Sequence, residues 1–130
     1  MNFAPAHRAT LVFCLALALA IPSTALASSY YTSFNFKFHL IGANRSYDGN
    51  SVAISATASS SQTYPSTYRV TLHRYYNPLY YPTIGYSDFP VNGYKSVAWT
   101  NVGSGTYYFD FIKADNGLYV SSNNVHMWSY

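Results

Sequence analysis

Apolar and polar residues alternate one by one along most of the chain after residue 28, which is the period of a β-strand and not of a helix. The alternation is clearest in "SFNFKFHLI", "NSVAISATA" and "STYRVTLHR". Their apolar sets are Phe34, Phe36, Phe38 and Leu40; Val52, Ile54 and Ala56; and Tyr68, Val70 and Leu72. Each strand is therefore expected to bury one face and leave the other in water.

Three dipeptides that tolerate tight turns separate the strand-like runs: Asp48-Gly49, Asn92-Gly93 and Asn116-Gly117. They predict three hairpins, which join 33–42 to 51–58, 83–90 to 94–102, and 105–114 to 118–128. A further strand over 67–75 brings the total to about seven. We predict an all-β fold, a single antiparallel β-sandwich, with a barrel as the alternative.

The last two runs carry the most specific expectations about side-chain direction. Tyr107, Phe109 and Phe111 are expected to face the core, and the hydroxyl of Tyr107 or Tyr108 to bind the backbone of the preceding loop, as in a tyrosine corner. In the final run Val125 and Met127 are expected inward, with Trp128 partly exposed.

The N-terminus has the pattern of an export signal, because Arg8 precedes the apolar run 11–21 and "ALA" follows at 25–27. The run is much shorter than the roughly 20 residues that span a bilayer. We predict a signal peptide over 1–27, a single β-sandwich domain over 28–130, and a secreted, extracellular protein with no transmembrane segment after cleavage. Cys14 lies within the signal, so the domain has no disulfide and depends on packing of its aromatic residues.

Charge and composition exclude several function classes. Seven Lys and Arg stand against four Asp, without the clustered basic residues that nucleic-acid binding requires. The chain has no glutamate, and Asp48 and Asp115 lie in predicted turns, so no carboxylate pair for catalysis is evident. We expect no enzyme activity, no catalytic residues and no cofactor.

No metal site is expected either, because the three histidines of the domain are isolated in sequence: His39, His73 and His126. The alternative is that three strands of one sheet bring these histidines together.

The segment "HRYYNPLYYPTIGYSDFP" over 73–90 concentrates tyrosines and prolines, which predicts a rigid aromatic loop. Tyrosine gives a large amphipathic contact area at modest entropic cost. We predict a ligand site made of Arg74, Tyr75, Tyr76, Tyr80, Tyr81 and Tyr86. The alternative is that the loop folds back and closes one end of the sandwich.

These features favour a small secreted binding or surface protein, whose partner is a cell-wall or extracellular glycan or a surface protein. A membrane-active toxin or antimicrobial and a matrix or fibre subunit are the alternatives. Asn44 begins a glycosylation sequon, which is used only where the host glycosylates exported proteins.

The segment "SVAWTNVGSGTYYFDFIKADNGLYV" resembles the last strands of fibronectin-III-like and prepeptidase C-terminal-type domains, in which Gly-Thr-Tyr opens a core strand. The chain is also similar to small secreted bacterial proteins of unknown function. This resemblance implies an extracytoplasmic β-sandwich, and it implies no functional residues.

Overall fold

The computed structural model describes residues 27–130, so nearly all of the predicted signal peptide lies outside the described residues. The described chain contains nine strands joined by turns and loops. They are β1 (Ser29–Phe36), β2 (His39–Ile41), β3 (Arg45–Tyr47), β4 (Val52–Ser60), β5 (Thr67–Arg74), β6 (Thr83–Pro90), β7 (Gly93–Trp99), β8 (Gly105–Ile112) and β9 (Val120–Ser129).

The strands form two antiparallel sheets, which confirms the predicted β-sandwich. Sheet A has the order β1-β9-β4-β7; sheet B has the order β2-β8-β5-β6, with β3 also paired to β8. If β2 and β3 are counted as one interrupted strand, the pairs are nested: β1 pairs with β9, β2 and β3 with β8, β4 with β7, and β5 with β6. Such nested pairing is a long hairpin rolled into two sheets, the topology of a jelly roll.

The strand count and the predicted strand over 33–42 need correction. That run is two strands, because the chain passes from sheet A to sheet B at residues 37–38. Phe34 and Phe36 are buried in the core, whereas Phe38 lies at the corner and is half exposed. The alternation continues unbroken across the corner, so the sequence pattern does not reveal the change of sheet.

The three predicted hairpins are wrong, although the chain does turn at each place. Asn92-Gly93 and Asn116-Gly117 each connect a strand of sheet B to a strand of sheet A. Asp48-Gly49 likewise lies between β3 of sheet B and β4 of sheet A. Among the nine strands of residues 27–130, β5 and β6 are the one consecutive pair that forms a true hairpin, and their connection is the tyrosine-rich segment 75–82.

The core lies between the inward faces of the two sheets and contains the residues that the alternation predicts. Val52, Ile54 and Ala56 come from sheet A; Tyr68, Val70, Leu72, Tyr107, Phe109 and Phe111 come from sheet B. The Tyr107 hydroxyl donates to the carbonyls of Val102 (2.7 Å) and Gly103 (2.6 Å), which confirms the tyrosine corner. Val125 and Met127 are buried and Trp128 is partly exposed, as predicted.

Because the strands are antiparallel, their connections gather at two ends of the sandwich. The tyrosine end comprises the connections 48–51, 75–82 and 100–104. The opposite end comprises 37–38, 61–66, 91–92 and 113–119. Each end therefore combines loops from both sheets.

Candidate ligand-binding site

The tyrosine-rich segment is an ordered turn that extends the β5–β6 hairpin. Asn77 and Tyr80 bond to each other through their backbones, and the Asn77 side chain accepts from the Leu79 amide at 2.9 Å. Pro78 occupies the turn position that suits its fixed φ. Leu79 at the tip is 93% exposed. The segment therefore projects from the sandwich and does not plug its end.

One side of this hairpin carries a stack of two exposed tyrosines. The rings of Tyr76 and Tyr80 lie 5.0 Å apart at an interplanar angle of 23°. The guanidinium of Arg74 lies 5.1 Å from the centre of the Tyr76 ring, close enough for a cation-π contact. The stack holds both rings in place without covering them.

Arg74 is engaged with the protein itself. Its two terminal nitrogens donate to the carbonyls of Val102 (3.0 Å) and Ser104 (2.8 Å) in the neighbouring loop. Gly105 leaves room for this packing, since a Cβ there would lie 2.8 Å from a guanidinium nitrogen. Arg74 thus connects the base of the hairpin to the 100–104 loop, and it holds the hairpin in position.

The other side of the hairpin forms a cleft with the link between β2 and β3. The cleft has a volume of about 390 Å³ and contains no charged residue. Its walls are Ile41, Gly42, Ala43 and Asn44 on one side, and Tyr75, Pro78, Tyr81 and Tyr108 on the other. Of the predicted site residues, Tyr75 and Tyr81 lie in this cleft, while Tyr76 and Tyr80 lie on the opposite side of the hairpin.

Tyr108 is a wall residue that the sequence analysis did not select. It stands on the outer face of sheet B, where its ring stacks on His73 at 4.8 Å and 13°. Partial burial, with the nearby Asp110 charge and Tyr81, raises the pKa of Tyr108. A signal was available in the sequence, because Tyr108 occupies the outward position between the core residues Tyr107 and Phe109.

Asp110 stands two residues beyond Tyr108 on the outer face of the same strand. Its carboxylate bonds to His39 Nε2 at 2.5 Å and lies 3.7 Å from His73 Nε2. Two histidines from different strands therefore flank one aspartate. The His73 ring on which Tyr108 stacks also bonds through Nδ1 to the Thr83 hydroxyl at 3.2 Å.

Tyr86 lies on the outer face of β6, away from the 75–82 turn. The Arg69 guanidinium covers its ring at 3.9 Å and also pairs with Asp88 at 2.9 Å. The hydrogen bond from Arg69 lowers the pKa of Asp88. The structure therefore places five of the six predicted residues in or beside the 75–82 turn and the sixth in a separate ion-pair cluster on β6.

The alternative of three histidines in one sheet is wrong, because His126 belongs to sheet A. It is stacked between Tyr31 (4.3 Å) and Trp128 (4.5 Å) on the outer face of that sheet. Over residues 27–130, no group of three or more His, Cys or acidic side chains has the geometry of a metal site. The same part of the chain has no helix long and apolar enough to cross a bilayer.

Comparisons with known proteins add little to this picture. No protein-family model matches the chain, and no curated protein matches it. A solved structure, the Yersinia pseudotuberculosis-derived mitogen, aligns over 85% of this chain and 88% of that chain, with 15% identity and a TM-score of 0.44. A similarity of this size carries no function across, so any function has to be argued from the chain's own residues.

Proposed function

We propose that this chain is a secreted, non-enzymatic binding protein that recognises a neutral extracellular or cell-wall glycan through the cleft beside its tyrosine hairpin. The observation that carries the proposal is the cleft itself, in which Tyr75, Tyr81 and Tyr108 surround an uncharged space. The tyrosine-rich composition and the export signal pattern of the sequence support the same function.

The shape and chemistry of the cleft suit a sugar. Its volume of about 390 Å³ lies within the range of small-ligand sites, roughly 300–1,000 Å³. The apolar C–H faces of a pyranose ring pack on aromatic rings, while tyrosine hydroxyls and the Asn44 amide can bond its hydroxyls. Because Arg74 already donates to two carbonyls, a neutral glycan fits better than an anionic one.

The hairpin is also prepared for binding in its free state. Its turn is closed by backbone and side-chain hydrogen bonds, and its base is tied down by Arg74. A rigid aromatic surface loses little conformational freedom when a ligand arrives, so more of the contact energy appears as affinity.

Pull-down on insoluble glycans tests the proposal. We expect Tyr81→Ala and Tyr75→Ala each to weaken retention by about tenfold, the effect of removing an aromatic anchor worth about 1.4 kcal/mol. Tyr94→Ala is the matched control, since Tyr94 is 64% exposed but lies on β7 of the other sheet, near the opposite end.

The protein for this assay should come from a host that does not glycosylate the Asn44 sequon, because Asn44 lines the cleft. Retention of the Tyr81→Ala and Tyr75→Ala proteins equal to that of the Tyr94→Ala protein would exclude the cleft as the glycan site.

A membrane-active protein is the second candidate, favoured by the hairpin tip. Leu79 is almost fully exposed between Tyr76 and Tyr80, and a leucine flanked by tyrosines is suited to the membrane interface. Co-sedimentation with anionic liposomes separates the two functions. If the hairpin is a membrane anchor, Leu79→Asp abolishes liposome binding and Tyr81→Ala keeps it. If the cleft binds glycans, Tyr81→Ala weakens glycan binding and Leu79→Asp keeps it.

A further inference from the structure

A second cleft lies at the opposite end of the sandwich, between the β4–β5 and β6–β7 connections. Its volume is about 680 Å³, larger than that of the hairpin cleft. It is lined by residues 62–67 and 90–92, and none of these side chains is charged. Tyr64 is 57% exposed at this cleft, and Pro65 and Pro90 add apolar surface.

Gln62, in the lining of this cleft, has a buried side-chain amide with no bonding partner. The residue is only 7% exposed, and neither Nε2 nor Oε1 makes a hydrogen bond to any part of the chain that the structure describes. Within residues 27–130, the other buried side-chain polar atom without a partner is the Tyr68 hydroxyl, one residue beyond the cleft. A buried amide with both donor and acceptor unused is costly and rare in folded proteins.

The unpaired amide is not needed to hold the loop, because Asn92 does that. Its Oδ1 accepts from the Ser60 amide at 2.7 Å, and its Nδ2 donates to the Gln62 carbonyl at 3.1 Å. The backbone N–H of Gln62 donates to Ser60 Oγ at 3.2 Å. The backbone of the loop is thus anchored at several points, and the Gln62 side chain is left free for another role.

We propose that this cleft is a second binding site, independent of the hairpin, for a neutral polyhydroxylated ligand of the saccharide class. The Gln62 amide offers one acceptor and two donors, the pattern that sugar hydroxyls match. Tyr64 supplies a face for a sugar ring, and the hydroxyls of Ser66 and Thr67 line the same space. Since the amide is enclosed in the free protein, it reaches the ligand by rotation about its side-chain torsions.

The sequence offers a direct reporter for this site, because Gln62 is the only glutamine in the chain. Selective ¹⁵N labelling of glutamine therefore leaves one side-chain NH₂ group to follow in an NMR spectrum, as a single pair of signals that serves as the Gln62 signal. We expect this signal to shift in a saturable way with at least one of cellohexaose, chitohexaose and mannohexaose, titrated to about 10 mM to include weak millimolar binding.

Two variants separate this site from the hairpin cleft. Tyr64→Ala removes the exposed ring and is expected to weaken the Gln62 response by about tenfold. Tyr81→Ala, at the tyrosine end, is expected to leave it unchanged. A Gln62 signal that does not move with any of the three sugars, or that moves equally in wild type and Tyr64→Ala, would overturn the second site whatever the outcome for the hairpin.

Discussion

Lys113 is a buried lysine without a carboxylate partner. Its ammonium lies 2.9–3.0 Å from four oxygens, namely the carbonyls of Lys37, Ala114 and Leu118 and the side-chain oxygen of Asn116. Only 6% of the residue is exposed. These oxygens come from 37–38 and 113–119, two of the four connections that cross between the sheets at the opposite end. Lys113 therefore holds together two corners of the fold.

Replacing Lys113 should be among the most damaging single changes in the domain. Lys113→Met keeps the aliphatic stem but leaves the four oxygens without their donor, and we expect a loss of about 3 kcal/mol in the free energy of unfolding. Urea denaturation measures this. Lys37→Met is the control, since Lys37 is exposed and should change stability by less than about 0.5 kcal/mol. Equal stability of the two variants would contradict the role of Lys113.

The inward direction of Lys113 could have been predicted from the sequence, but its role could not. It continues the alternation of Phe109 and Phe111, so the pattern places it on the buried face. Which oxygens surround it depends on Lys37, 76 residues away along the chain. Alternation gives the direction of a side chain within its own strand and carries no information about distant partners.

At the scale of the element, Trp99 closes the side of the sandwich where β6 and β7 lie next to each other. Its indole packs near Phe109 and directly over Gly85. A Cβ on residue 85 would lie 2.6 Å from the indole nitrogen, too close for any real contact. Gly85 is therefore required on β6 by the ring of a residue in the other sheet.

This packing predicts the effect of adding one methyl group. Gly85→Ala should displace the Trp99 indole and lower stability by about 1–3 kcal/mol, the usual cost of overpacking. In a background of Trp99→Leu the same change should cost much less, because the clash is gone. Denaturant unfolding of the four proteins in this cycle measures the coupling. If the effects of the two substitutions on the free energy of unfolding simply add, the indole does not restrict the size of residue 85.

The strands themselves were largely predictable, whereas the β5–β6 hairpin on which most of the predicted site lies was not among the predicted hairpins. Each strand stays within one sheet, so its period-two pattern maps directly onto burial, as in Val70 and Leu72. The density of tyrosine and proline predicted a rigid aromatic loop over 73–90, and it left open whether that loop is exposed or closes one end of the sandwich. The opposite wall of the cleft was not predictable, because Ala43 and Asn44 come from the β2–β3 link, which only the pairing of β2 and β3 with β8 brings beside the hairpin.

At the scale of the whole molecule, the turn dipeptides predicted where the chain reverses and not which strand it returns to. A turn such as Asn116-Gly117 has the same local chemistry in a hairpin and in a connection between sheets. The nested pairing of β1 with β9, around the hairpin of β5 and β6, is set by side-chain packing across the sandwich. It also places the two proposed binding clefts at opposite ends, where one molecule could hold two glycan chains at once.

The stack of Tyr31, His126 and Trp128 on sheet A has an optical consequence. His126 covers one face of the Trp128 indole at 4.5 Å, so an added quencher such as acrylamide reaches that indole from fewer directions. The chain has two tryptophans, and Trp99 packs against the core from β7, on the side of the sandwich closed by β6 and β7. His126→Ala should therefore make Trp128 easier to quench and leave the quenching of Trp99 unchanged. One quenching experiment can thus follow the stack on sheet A and the closure of the sandwich at the same time.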